Sequence, residues 1–298
     1  MKTPTTMRTI SYFLLNELLW NFLGNSLFTF ASAVPMMPAV CFRIEGMAAS
    51  FLQTDERRLL YFMVIVLSVF NCTVGFITTF LFRYVTLAFS DTISRFHKAL
   101  GFACCFICHI ILSLIIGFLV YFWWLPSSKY PKNNLPDNVD NIFCFHPNGT
   151  ITTVVQYFFM AWFAFTICLI SLFAILSIRE VRLKRHLMKK KTLTLQKEVL
   201  KNLQIITATA VIVGGLPPLV IVYYLCNSKL PFAREITAVL MLVTLNFGTV
   251  YAVLILALFK SYRQAVTNIT RSFTNVLQAL VDEGHTTSIT SSDMYLHM

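Results

Sequence analysis

Apolar side chains fill this chain in long unbroken runs, and polar residues gather in the short gaps between them. Six runs recur, at about 10–34, 59–84, 99–125, 151–178, 203–226 and 236–259. Each is near the roughly 20 residues that carry an α-helix across about 30 Å of hydrocarbon. Strands of a membrane barrel would be about ten residues long and alternate in character, so continuous runs point to helices. The pattern predicts an all-α membrane protein, a polytopic transmembrane helical bundle with six spans over residues 1–275 and a cytoplasmic tail over 276–298. No repeat relates its halves, which argues against a carrier built from inverted repeats.

Composition agrees. Of 298 residues, 57% are hydrophobic and 12% charged, far from the quarter-charged make-up of a soluble domain. A formal charge of +11 raises the question of a nucleic-acid partner. The basic residues lie in the gaps between spans, where membrane orientation rules place them, so nucleic acid is set aside and the lipid bilayer is the expected partner.

With the amino terminus inside, the gaps at 1–9, 83–98, 179–201 and 260–271 hold 17 of the 24 Lys and Arg, leaving 7 for the outer stretches. Cytoplasmic loops carry this excess, so both termini are expected inside. Much of it comes from REVRLKRHLMKKK, beginning at Arg179, which also suits anionic lipid. Asn148-Gly149-Thr150 is a glycosylation sequon in the longest outer loop, on the side where glycans are added. The sequons at Asn71 and Asn268 fall in a span and inside the cell, and are expected to be silent. Lys2, Arg8 and the later Ala31-Ser32-Ala33 imitate a secretory leader. The apolar stretch is too long for one and is interrupted by Asn16, Glu17, Asn21 and Asn25, so a retained helix is the better reading. Asn21 and Asn25 share a helical face suited to a bundle interior.

Candidate chemistry adds little catalysis. CCFICH, Cys104 to His109, contains the spacing of a c-type haem attachment, but it lies mid-span, where maturation enzymes cannot reach, and thiol packing accounts for it. His109 reads as a bundle polar group bonded to a neighbouring helix. Cys41 and Cys144 fall in the two main outer loops and could form a disulfide. Arg83 ends the second span and Lys260 and Arg263 follow the last, as anchors would. Gly214-Gly215-Leu216-Pro217-Pro218 predicts a kink, with Pro217 and Pro218 as the hinge. No nucleophile with its base, metal cluster or carboxylate pair emerges from 13 acidic residues. No enzyme, cofactor or metal is expected.

The order of features resembles the nematode serpentine chemoreceptors, the Srh class of the Str superfamily of seven-helix G-protein-coupled receptors. KTPTTM, RTISYFLLN and ELLW run from Lys2 to Trp20; VPMMPAVCFRIEG follows from Val34 to Gly46; FLFRY spans Phe80 to Tyr84. TLQKEVLKNLQ, the double proline and KSYRQ come later. In the family the first of these motifs follows the first helix, so the resemblance implies helices 2–7, with a first helix missing from an incomplete gene model, an alternative start or a degenerate member. Asn25 stands where the family usually has an aspartate, and Leu81 and Phe82 replace a polar pair before Arg83. Thr244-Leu245 and Gly248-Thr249 replace the family's His-Gly and Ser-Thr.

The resemblance implies a chemosensory receptor that binds a small-molecule chemical cue among its helices and activates a heterotrimeric G protein. Arg83, Tyr84, Arg179, Arg182, Lys184, Arg185, Lys260, Tyr262 and Arg263 would face that partner. It also implies the plasma membrane of sensory cilia. A small carrier or channel-like protein, or a pseudoreceptor that does not signal, are the alternatives.

Overall fold

The computed structural model describes residues 5–89, 98–131, 140–183, 201–202, 204–258 and scattered positions from 263 to 278. Among the described residues six long helices follow in order: α1 Thr5–Ala31, α2 Asp55–Ala88, α3 Lys98–Trp123, α4 Thr150–Leu183, α5 Gln204–Cys226 and α6 Ala233–Leu258. The last five are long and apolar enough to cross a membrane. The sixth expected span, α1, has the length at 27 residues, but Asn16, Glu17, Asn21 and Asn25 lower its hydropathy, and it is not among those five. The chain divides at Tyr251 into two compact units. The second begins at Ala252 with the last turns of α6 and includes the exposed Arg263.

Local chemistry sets the boundaries. Thr54 caps α2, its side chain accepting from Arg57 N, and Asp55 and Glu56 occupy the first turn, where carboxylates favour the positive end of the helix dipole. Helix α2 lies at the centre of the first unit, packed against α1, α3 and α4. Its approach to α1 is close: a Cβ on Gly75 would lie 3.0 Å from Glu17 Cα. Lipid offers helices no hydrophobic reason to associate, so such small-residue contacts and interhelical hydrogen bonds hold the bundle.

One end of the bundle carries structure absent from a purely helical plan. Ala33–Pro35 (β1), Cys41–Ile44 (β2), Trp124–Leu125 (β3) and Ile142–Phe145 (β4) form an antiparallel sheet in the order β1-β2-β4-β3. Cys41 pairs with Cys144 in the register of β2 and β4, and their sulfurs are bonded. Phe42, Phe143, Phe145 and Trp123 are buried beneath the sheet, with Trp123 stacked on Phe145 at 4.4 Å between ring centres. Arg58, 7% exposed, locks this cap. Its guanidinium donates to the carbonyls of Leu52, Gln53 and Ile142, to Asp55 Oδ1 and to Asn141 Oδ1, all at 2.8–3.1 Å. Every face of the cation is satisfied, as a buried arginine requires. Asp55 Oδ2 in turn accepts from the backbone and hydroxyl of Ser127.

Candidate functional site

Beneath the sheet lie two cavities that share a wall. The upper one, about 130 Å³, is lined by aromatic and aliphatic side chains, among them Phe42, Phe62, Phe70, Trp123 and Phe159, with Pro218 on one side. The lower one, about 50 Å³, lies among Asn21, Asn25, Ser68, Thr73 and the turn containing Gly214 and Gly215. Val69, Phe163, Thr244 and Leu245 line both. No Asp, Glu, Lys, Arg or His is among the lining residues of either.

The turn at the lower cavity has a backbone cause. Pro217 and Pro218 have no N–H to give to the carbonyls one turn earlier, and their rings crowd those carbonyls. The chain responds over Ala210–Gly215 with a π-helical turn before regular α-helix resumes at Leu216. Such turns are frequent at functional sites. The irregularity thus precedes the two prolines, and Ala210, Val211, Gly214 and Gly215 form cavity wall. The glycines also permit close packing: a Cβ on Gly214 would lie 2.9 Å from the Phe247 ring.

A polar network runs beside the cavities. Asn71 Nδ2 donates to Leu67 O and to Ser113 Oγ, each at 2.9 Å, which leaves its Oδ1 as acceptor for His109 Nδ1 at 2.7 Å. His109 therefore carries its proton on Nδ1, and Nε2 accepts from Asn16 Nδ2 at 3.0 Å. Trp20 lies over the imidazole at 5.6 Å. The network joins α1, α2 and α3 and takes up both ring nitrogens. Among the described residues no cluster of His, Cys, Asp and Glu could hold a metal ion.

Deeper in the bundle, away from the sheet, Glu17 is 1% exposed. The hydroxyls of Thr79 and Tyr251 face its carboxyl, without reaching hydrogen-bond geometry. Arg83 lies one turn beyond Thr79, half-buried, with its guanidinium 5.9 Å from the Phe80 ring centre. Tyr84 stacks on Phe173 of α4 at 6.2 Å, so Arg83 and Tyr84 share an end of the bundle with Arg179 and Arg182, both exposed on the last turns of α4. Lys184, Arg185, Lys260 and Tyr262 lie outside the described residues. Asn148 is exposed in the turn before α4. Asn25 is half-buried on the lower cavity wall.

Sequence reasoning missed Arg58 and Tyr130. The Tyr130 hydroxyl accepts from Val40 N at 3.2 Å and is 3% exposed; burial pushes its phenol above the ordinary value of 10.0. Nothing in the local sequence of either residue separates it from a surface loop side chain.

Residues 1–272 match the family described as serpentine type 7TM GPCR chemoreceptor Srh. This chain belongs to the Srh family. The match covers all six helices and both cavities of this Srh protein. The comparison with curated proteins returned no significant match.

Proposed function

We propose that this Srh protein is a chemosensory G-protein-coupled receptor of the plasma membrane, with both termini in the cytoplasm and the sheet outside. The observation that carries the reading is a cavity inside the bundle whose wall includes the π-helical turn of α5, in a chain of a chemoreceptor family. A small molecule that fits one arrangement of that turn better than another shifts the population of bundle states. A change from 1:99 to 99:1 needs about 5.5 kcal/mol of differential affinity, and partial activation needs less. Pro217 and Pro218 supply the hinge. Arg83, Tyr84, Arg179 and Arg182 are offered to a heterotrimeric G protein, and on the sequence resemblance alone Lys184, Arg185, Lys260, Tyr262 and Arg263 are assigned the same partner. No catalytic step is required.

The test is reconstitution of the purified chain with a heterotrimeric G protein and measurement of guanine-nucleotide exchange across a panel of volatile and water-soluble cues. Cue-dependent exchange that disappears in Arg83→Ala supports the receptor. Solute flux through the reconstituted chain, without exchange, would instead identify a carrier.

A further inference from the structure

We infer that the paired cavities take an uncharged, mostly hydrocarbon ligand with one hydrogen-bonding end group, such as a small alcohol or ketone, whose polar end is held by the side-chain amide of Asn25. The assignment of the pocket stands on its own geometry; the meaning of its occupancy as a signal rests on the receptor reading.

Three observations lead there. The first is the shape of polarity: the upper cavity offers aromatic and aliphatic surface, and polar side chains collect in the lower one. A guest with its hydrocarbon part above and its polar atom below matches both.

The second is which polar side chain on the cavity wall has no hydrogen-bond partner at all. Ser68 and Thr73 give their hydroxyl protons to the carbonyls of Val64 and Phe70 on their own helix. Thr166 and Thr244 do the same to Trp162 and Leu240. Asn21 Nδ2 points to Cys72 Sγ at 3.6 Å, and a Cβ on Gly248 would fall 1.8 Å from Asn21 Oδ1, so that amide is wedged against α6. Among the described residues the Asn25 side chain has no hydrogen-bond partner, only its backbone carbonyl being used, by Thr29. An amide both donates and accepts, so it serves a hydroxyl or a carbonyl equally.

The third is size and charge. An apolar cavity of roughly 150 Å³ stays dry and holds benzene, and the upper space of about 130 Å³ is close to that, with the lower space extending it. An ionised guest would give up part of its hydration with no opposite charge among the lining residues, which disfavours carboxylates and ammonium ions.

The experiment uses the full chain in phosphatidylcholine nanodiscs, with empty nanodiscs subtracting partition into lipid. Binding of 1-hexanol, benzyl alcohol, hexane, hexanoate and hexylammonium is followed by tryptophan emission, since Trp20 and Trp123 line the two cavities. Saturable binding of the alcohols, with hexanoate and hexylammonium at least tenfold weaker, is the expected result. Asn25→Leu should bring 1-hexanol to parity with hexane, a loss of about tenfold in preference, while hexane binding persists and reports an intact fold. Val69→Phe, at the junction, should weaken both alcohols. Ions binding as well as alcohols, an unchanged preference in Asn25→Leu, or no saturable binding of either alcohol would overturn the assignment. Nucleotide exchange measured in parallel separates the two ideas. Alcohol binding without exchange sustains the pocket and removes the receptor reading; exchange driven by hexanoate alone sustains the receptor and removes this pocket chemistry.

Discussion

His109 commits both ring nitrogens to side chains on other helices, and Asn71 is the residue on which that network turns. Asn71→Leu would strip partners from His109 Nδ1 and Ser113 Oγ together. Interhelical hydrogen bonds in membranes contribute about 0.6–2 kcal/mol each, so a loss of about 1–2 kcal/mol is expected in thermal unfolding of the detergent-solubilised protein. The double change Asn71→Leu with His109→Phe should recover part of it, because fewer buried polar atoms are then left unpaired. Glu17 behaves differently: its carboxyl is sealed in the bundle near Thr79 and Tyr251. Glu17→Gln, which keeps the shape and removes the ionisable group, should leave the unfolding midpoint equal or higher, whereas Glu17→Ala should lower it through the cavity it opens. A large fall in Glu17→Gln would mean that the carboxylate itself is stabilising. Tyr130→Phe removes the acceptor for Val40 N and should cost about 1 kcal/mol. Burial raises the Tyr130 phenol against the opposing pull of the Val40 N–H, so folding stability is unaffected by this group below about pH 10 and falls as pH climbs through the raised value, because a phenolate there would be desolvated. The residue scale was legible only where a polar group stood out against an apolar run. His109 and Asn25 did so. Arg58 did not, because an arginine just before an apolar run looks alike whether it faces water or holds five bonds.

Among the elements, the helices were readable because a bilayer leaves the backbone no alternative to internal hydrogen bonding. Their ends were less so: α2 runs from Asp55 to Ala88 and α4 to Leu183, each beyond its apolar run, since capped and charged turns continue a helix into the polar interface. The sheet was not readable. Its strands are 2–4 residues long, and β2 meets β4 across a separation of 103 residues, too distant for any local period to register. Closing a loop of that size corresponds to about 4.7 kcal/mol in a chain-entropy account, with 2–4 more usual in practice. Cys41→Ser with Cys144→Ser should therefore lower the unfolding midpoint markedly, with reducing agent reproducing the effect in the native protein and doing nothing further to the variant. In α5 the double proline predicted a kink, and the distortion sits in the preceding π-helical turn. Pro217→Ala with Pro218→Ala returns two backbone donors. It should raise thermal stability and reduce cue-stimulated nucleotide exchange, since a regular helix lacks the second arrangement.

For the molecule as a whole, sidedness is the property that basic residues encode and folding geometry does not. If the sheet is outside, Asn148 carries a glycan in cells: glycosidase should shift the wild-type band, Asn148→Gln should abolish the shift, and Asn268→Gln should leave it unchanged. A glycan at Asn268 instead would invert the topology. The two sides of the chamber are also built differently. At one, a bonded cysteine pair, a sheet and the Arg58 clamp bind separate loops into a single ceiling. At the chamber floor, the helix wall has already given up regular backbone pairing. If a guest occupies the chamber as proposed, it presses on one surface tied together covalently and on another whose backbone is already irregular; the second is then expected to give way, so that the push travels in a single direction, away from where the guest was sensed.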